Sequence, residues 1–118
     1  MKVLVVDDSS MIRRLIKNTL TQSGYEEVLE ATNGREAVNS TKAEQPDLIL
    51  MDWNMPEVTG LEAVQAIRAS GNKVPIVMVT TEAEKQRVVQ AVQAGINDYL
   101  VKPFTPDALI ERVKKFGG

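Results

Sequence analysis

The chain reads as an α/β protein, a doubly wound parallel sheet with helices on both faces. Three observations predict it. Short apolar runs end abruptly in polar residues, longer stretches repeat apolar residues at helical spacing, and the two kinds of segment alternate from one end to the other. The first run, residues 3–6, is continuously apolar and closes on Asp7-Asp8, as a strand buried on both faces does. Ser9 or Ser10 can cap the helix that follows, whose expected buried stripe is Ile12, Leu15, Ile16 and Leu20 and whose end is Gly24. Residues 28–31 form a weaker strand, and Asn33-Gly34 leads into a short helix carrying Ala37 and Val38.

Pro46-Asp47 introduces the third run, residues 48–51, closed by Asp52. Residues 53–59 read as a loop, and Gly60 stands near the start of a helix with Leu61, Val64 and Ile67 on one side. Gly71-Asn72 breaks the chain before Pro75, and residues 76–79 form the fourth strand, closed by Thr80-Thr81. A helix is predicted over about residues 82–94, stopping at Gly95; residues 98–101 form the fifth strand, closed by Lys102-Pro103. The last helix runs from Pro106 to about residue 116 and is expected to bury Leu109, Ile110 and Val113; proline suits a first helical turn. Right-handed crossovers and one reversal of strand order place a ligand crevice beyond the carboxyl ends of the strands. Periodicity alone fits both the order 2-1-3-4-5 and a Rossmann-like order.

A chain of 118 residues fits one domain, and 43% apolar with 25% charged residues is ordinary globular composition. A net charge of −2 argues against direct nucleic-acid binding, which needs a basic footprint. No Cys means no disulfide, thiolate nucleophile or zinc–sulfur site, and no His means no imidazole base. Chemistry is left to carboxylates, hydroxyls, amides and amines, and any metal must suit hard oxygen ligands: Mg²⁺, Mn²⁺ or Ca²⁺. Four apolar residues before the first acids are too few for a signal-peptide core, and no run is long enough to insert in a membrane, so the cytoplasm is the expected location.

Strand one ends in Asp7 and Asp8, strand three in Asp52, strand four in Thr80 and strand five in Lys102. In a parallel sheet those ends share one edge. Three crowded carboxylates repel one another, and a divalent cation together with Lys102 relieves that repulsion. Acids at strand ends often do no more than begin solvated loops; polar residues at every one of these ends are a different matter.

The segments VVDDSSMIRR, MDWNMPEVTG, VTTEA and DYLVKPF together resemble the response-regulator receiver domain, and most of all its stand-alone chemotaxis type. The likeness spans essentially the whole chain, as one receiver domain over residues 1–118 with no separate output domain, and implies a flavodoxin-like fold with strand order 2-1-3-4-5. It implies that Asp52 accepts a phosphoryl group from a kinase phosphohistidine. Mg²⁺ would be bound directly by Asp8 and by Asp52, largely through water by Asp7, and by the Asn54 backbone carbonyl. Lys102, on a cis Lys102-Pro103 bond, would pair with phosphoryl oxygens, and Thr80 would donate its hydroxyl to one of them. Independently, phosphoryl transfer needs its spread charge neutralised and its nucleophile held in line. A carboxylate is ionised at neutral pH and needs no base.

The resemblance extends to readout and partners. Thr80 and Tyr99 would form the switch, with the tyrosine ring moving inward on phosphorylation. Lys85, Val88 and Arg112 would face a flagellar motor switch protein across helix four, strand five and helix five, with Val89 and Val92 packed inward. The implied upstream partner is a chemotaxis-type histidine kinase; a phosphatase is a further candidate, and the expected state is a monomer. Asn54 and Glu82 occupy the positions at which the family tunes phosphate lifetime. Thr81 stands where the family often has a smaller residue. Such a protein is a signalling switch that catalyses its own phosphorylation and slow dephosphorylation.

Other readings compete. A stand-alone receiver could instead carry phosphate in a relay or regulate another enzyme. A haloacid-dehalogenase-like phosphatase also uses aspartate, Mg²⁺, threonine and lysine, but it places Asp-x-Asp on strand one and usually carries a cap domain. Flavodoxin-like cofactor binding lacks its glycine-rich loop here.

Overall fold

A computed structural model describes residues 1–117. Along the chain run β1 (Lys2–Val6), α1 (Ser10–Gln22), β2 (Glu27–Ala31), α2 (Gly34–Glu44), β3 (Leu48–Met51), α3 (Gly60–Ala69), β4 (Ile76–Thr80), α4 (Lys85–Ala94), β5 (Asp98–Val101) and α5 (Pro106–Lys114). All pairings are parallel and the order is β2-β1-β3-β4-β5, which settles what periodicity left open. β1 and β3 lie side by side in the interior of the sheet, so the acids that follow them are neighbours.

Successive side chains on a strand point to opposite faces, and the apolar runs divide accordingly into two cores. Leu4, Ile49, Met51 and Met78 pack with Ala63, Val64, Ile67 and Ala91 on the face covered by α2, α3 and α4. Val3, Val5, Leu50 and Val79 pack with Ile16, Leu20, Leu109 and Val113 beneath α1 and α5. This explains why the strands look continuously apolar in sequence: each face has its own helices to meet.

Side chains cap four helices. Ser9 accepts from the Ile12 amide, Asn33 from Glu36, and Thr105 from Ala108 ahead of Pro106. Thr59 and Glu62 form a reciprocal capping box on α3. The Glu84 side chain gives α4 no such bond, and the helix begins three residues later than the sequence pattern suggests. Its far end is held differently. Arg68 donates from Nε to the Gly95 carbonyl, from Nη1 to the Asn72 carbonyl and from Nη2 to Asn97 Oδ1, each at 3.0 Å. The Asn97 oxygen also accepts the Ile76 amide at 2.9 Å, so one arginine ties α3, the end of α4 and the start of β4 together.

Two helical faces differ from expectation. Leu15 is 49% exposed, and Thr19 takes the buried place beside Ile16 and Leu20. Burying that threonine costs little because its hydroxyl donates to the Leu15 carbonyl at 2.9 Å. Leu15 instead lines a recess with Ile12, Pro103 and Phe104. On α4 the face is turned by about one residue: Val89 and Val92 are 45% and 59% exposed, while Val88 is half-buried and Ala91 fully buried. The small side chain of Ala91 lets the helix approach its neighbours, and its i−3 and i+3 companions, Val88 and Ala94, turn inward with it. Lys85 is exposed as expected, and Ile110 on α5 is only half-buried.

Gly60 does not need an unusual backbone angle; it needs the absence of a side chain. Its amide donates to the Trp53 carbonyl at 2.9 Å, and a Cβ there would overlap the Asp52 carbonyl oxygen. Gly60→Ala is therefore expected to cost about 2–3 kcal/mol through a forced shift of backbone, read as a lower urea midpoint at unchanged slope.

Candidate functional site

Three backbone bonds carry the parallel ladders past the strand ends. The Asp7 amide donates to the Ala31 carbonyl at 3.1 Å, the Asp52 amide to Val6 at 2.9 Å, and the Lys102 amide to Thr80 at 2.9 Å. Each of these polar residues is thus placed by its neighbour strand rather than by a free loop. Thr80 is the last residue of β4 and fully buried, and the Lys102–Pro103 peptide bond is cis.

These residues converge. Carboxylate oxygens of Asp7, Asp8 and Asp52 lie within 4.8 Å of one another, with Asp7 and Asp52 buried and Asp8 exposed. Lys102 Nζ donates to Asp7 Oδ2 at 2.6 Å and stands 3.6 Å from Asp52 Oδ2. The lysine therefore leans toward Asp7 rather than midway between the acids. Asp7 also accepts the Ser9 amide at 2.9 Å through Oδ1, and its carbonyl accepts Arg13 Nη1 at 2.7 Å. Asp52 Oδ1 accepts the Trp53 amide at 2.8 Å.

Burial pushes the Asp52 carboxyl above its ordinary range. Lys102 opposes that shift, the nearby Asp7 charge adds to it, and the Thr80 hydroxyl and Trp53 amide oppose it. One ammonium does not fully compensate two buried acids. An all-oxygen donor set with surplus negative charge, open on the Asp8 side, fits a hard divalent cation such as Mg²⁺. The three acids could hold it.

Around this cluster lie the other residues singled out in the sequence. Asn54 Nδ2 donates to Glu82 Oε1 at 3.3 Å, so the two loops flanking the site touch. The Glu82 amide reaches Thr80 Oγ1 at 3.4 Å, and the half-buried Tyr99 donates its hydroxyl to the Glu82 carbonyl. Burial raises the tyrosine's pKa, and the charge of Glu82 adds to the effect. Arg112 lies farther off on α5, paired with Asp98 at 3.4 Å in a geometry too bent for a hydrogen bond.

Several participants were not legible beforehand. Asp98 also takes Lys115 at 2.9 Å. Burial would raise its carboxyl, but the Lys115 bond, the Tyr99 amide and the Lys115 and Arg112 charges together bring it below the ordinary value. Arg13 supports the loop after β1, and Arg87 of α4 lies over the Trp53 ring, 5.4 Å from its centroid. Only the first arginine of the strand-end motif, Arg13, and a cation in the first turn of a helix, Arg87, stood in the sequence as signals, and neither is distinctive.

The response regulator receiver domain family model matches residues 3–114. The chain is 53% identical over 117 residues to a Campylobacter jejuni chemotaxis protein CheY homolog, covering 97% of this chain and 90% of that one. It is 51% identical to Helicobacter pylori chemotaxis protein CheY1, covering 97% and 94%. Among solved structures, Vibrio cholerae chemotaxis protein CheY4 superposes with a TM-score of 0.89 at 39% identity, covering 98% and 97%. The chain as a whole thus has close relatives in sequence and in fold, and it belongs to the response regulator receiver domain family, as a CheY-like receiver of a two-component chemotaxis response regulator.

Proposed function

We propose that Asp52 is the phospho-acceptor of a switch whose phosphorylated form docks on a partner protein. The observation that carries this reading is the convergence of three carboxylates and Lys102 on one sheet edge. An Asp52 oxygen attacks phosphorus of a kinase phosphohistidine; the P–N bond breaks, its electron pair leaves with the imidazole, and the imidazole takes a proton from solvent. Hydrolysis reverses the acceptor: water attacks phosphorus and the bond to Asp52 breaks. Lys102 is near enough to pair with a phosphoryl oxygen, and the buried Thr80 hydroxyl can donate to another. Asp8, Asp52 and the Asn54 carbonyl would hold Mg²⁺ directly and Asp7 through water. Bound there, the ion supplies neutralisation of the equatorial phosphoryl charge. The chain acts on itself, as one receiver domain in the cytoplasm and as a monomer.

Upstream, the phosphohistidine of a chemotaxis-type histidine kinase fits this acceptor chemistry, with a phosphatase able to act on the product. Downstream, the face formed by α4, β5 and α5 combines exposed Val89, Val92 and Val101 with Lys85, Arg112 and Lys115 around Tyr99. An apolar and acidic segment suits it, such as the amino-terminal segment of a flagellar motor switch protein. Asn54 and Glu82, in contact across the site mouth, set the access of water and so the lifetime of the phosphate.

With Mg²⁺ and beryllofluoride, Trp53 emission should change in the wild type and not in Asp52→Asn; equal responses would remove Asp52 from its role. The same variant tests electrostatics. A carboxyl raised by folding favours the folded state below its unfolded pKa, and that contribution is lost as pH rises through the folded value. In chelator at pH 7, Asp52→Asn should therefore be more stable than wild type, and the difference should close as pH falls below the ordinary carboxylate range.

Glu82→Ala should change first-order phosphate loss about two- to tenfold, the scale of one hydrogen bond; an unchanged decay would contradict the tuning role. Val92→Asp should weaken binding of the motor-switch segment about tenfold or more, as losing a buried anchor does, with phosphorylation intact. Unchanged affinity would dismiss this face. Val92 is the cleaner probe than Val88, because an acid at half-buried Val88 would also disturb the fold.

A further inference from the structure

Arg87 is the third residue of α4, and its guanidinium lies over the ring of Trp53, 5.4 Å from the centroid. Trp53 is only 4% exposed, so its ring presents a partly desolvated negative quadrupole to that cation. Among the described residues Arg87 forms no ion pair. The helix start is otherwise weakly held: Glu84 lacks a side-chain cap bond, and the Arg87 and Val88 amides reach back only to the Glu84 carbonyl. Trp53 is tightly fixed instead. Its amide donates to Asp52 Oδ1 at 2.8 Å and its carbonyl accepts the Gly60 amide at 2.9 Å.

We propose that Arg87 is a positioning residue that fastens the first turn of α4 to the Asp52–Trp53 segment through the indole face, so that a change at the acceptor carboxylate reaches α4 along this contact. This route is separate from Thr80 and Tyr99, which act through the hydroxyl and the Glu82 carbonyl. The two meet at Tyr99, because the Arg87 charge also acts on its phenol, against the effect of Glu82. Helix propensity does not account for the choice of arginine, since Lys, Gln and Met serve a helix about as well. The distinguishing property is a planar cation that stacks on an aromatic face.

The test uses the full chain with Arg87→Met, Arg87→Gln and Arg87→Lys, all exposed substitutions that leave the site intact. Without metal or phosphate, amide exchange over residues 84–90 should rise about two- to fivefold in Arg87→Met and Arg87→Gln, the scale of one exposed cation–π contact. Trp53 emission should shift in the same two variants, and Arg87→Lys should retain most of both signals. Unchanged exchange in Arg87→Met overturns the proposal, as does faster exchange with unaltered emission, which would mean that the helix start is loosened by some other loss. A second arm rests on the acceptor reading: Mg²⁺ with beryllofluoride should alter exchange over 84–90 in wild type, and by less than half as much in Arg87→Met. Equal responses in the two overturn the coupling. A wild type silent to beryllofluoride refutes the acceptor reading and with it the coupling, while the metal-free arm still decides whether the contact holds the helix.

Discussion

Everything at the site depends on keeping two buried carboxylates beside one ammonium. Asp7 and Asp52 sit at the ends of adjacent interior strands, so the sheet holds their backbones side by side. Lys102 comes from the far edge strand, β5, and offsets their repulsion while standing closer to Asp7. The remainder appears as a raised Asp52 carboxyl. A surplus of negative charge is a cost to the folded chain, and it is also what suits the cluster to a hard divalent cation. The cost to stability and the affinity for a cation thus arise from the same pair of acids.

The sheet makes this arrangement reproducible. Because the ladders continue one residue beyond the strands, the side chains that matter are fixed by backbone bonds to neighbouring strands. Gly60 shows how tight the packing is: α3 begins so near the Asp52 carbonyl that a methyl group has no room. The apolar interior on both faces holds the sheet rigid, while the groups that act stay at its carboxyl edge.

The sequence showed the alternation of strands and helices because buried parallel strands leave an unmistakable apolar signature, and it showed the strand-end residues because polarity stops those runs so sharply. Strand order is not encoded in periodicity and entered through the family motifs. The helical faces were less legible. On α1, Leu15 and Thr19 exchange expected places because a threonine can satisfy its hydroxyl within the helix. On α4, the valine spacing put Val89 and Val92 inward and Val88 outward, whereas the buried contact is the small Ala91, with Val88 turned toward the interior beside it. Asp98, Arg87 and Arg68 carried no pattern that named their partners, since long-range contacts of charged side chains have no period to read.

The Arg68 clasp has a mechanical consequence. It holds α4 by its carboxyl end, the end remote from the acids, and leaves the opposite end without a side-chain cap. A helix of 10 residues held this way is an arm of about 15 Å. Tilting it by roughly 10° about the clasp displaces the first turn by about 2.5 Å and the last turn hardly at all. The fold thus sets the fulcrum of α4 at the end remote from the acids, with the uncapped first turn at the tip of the arm.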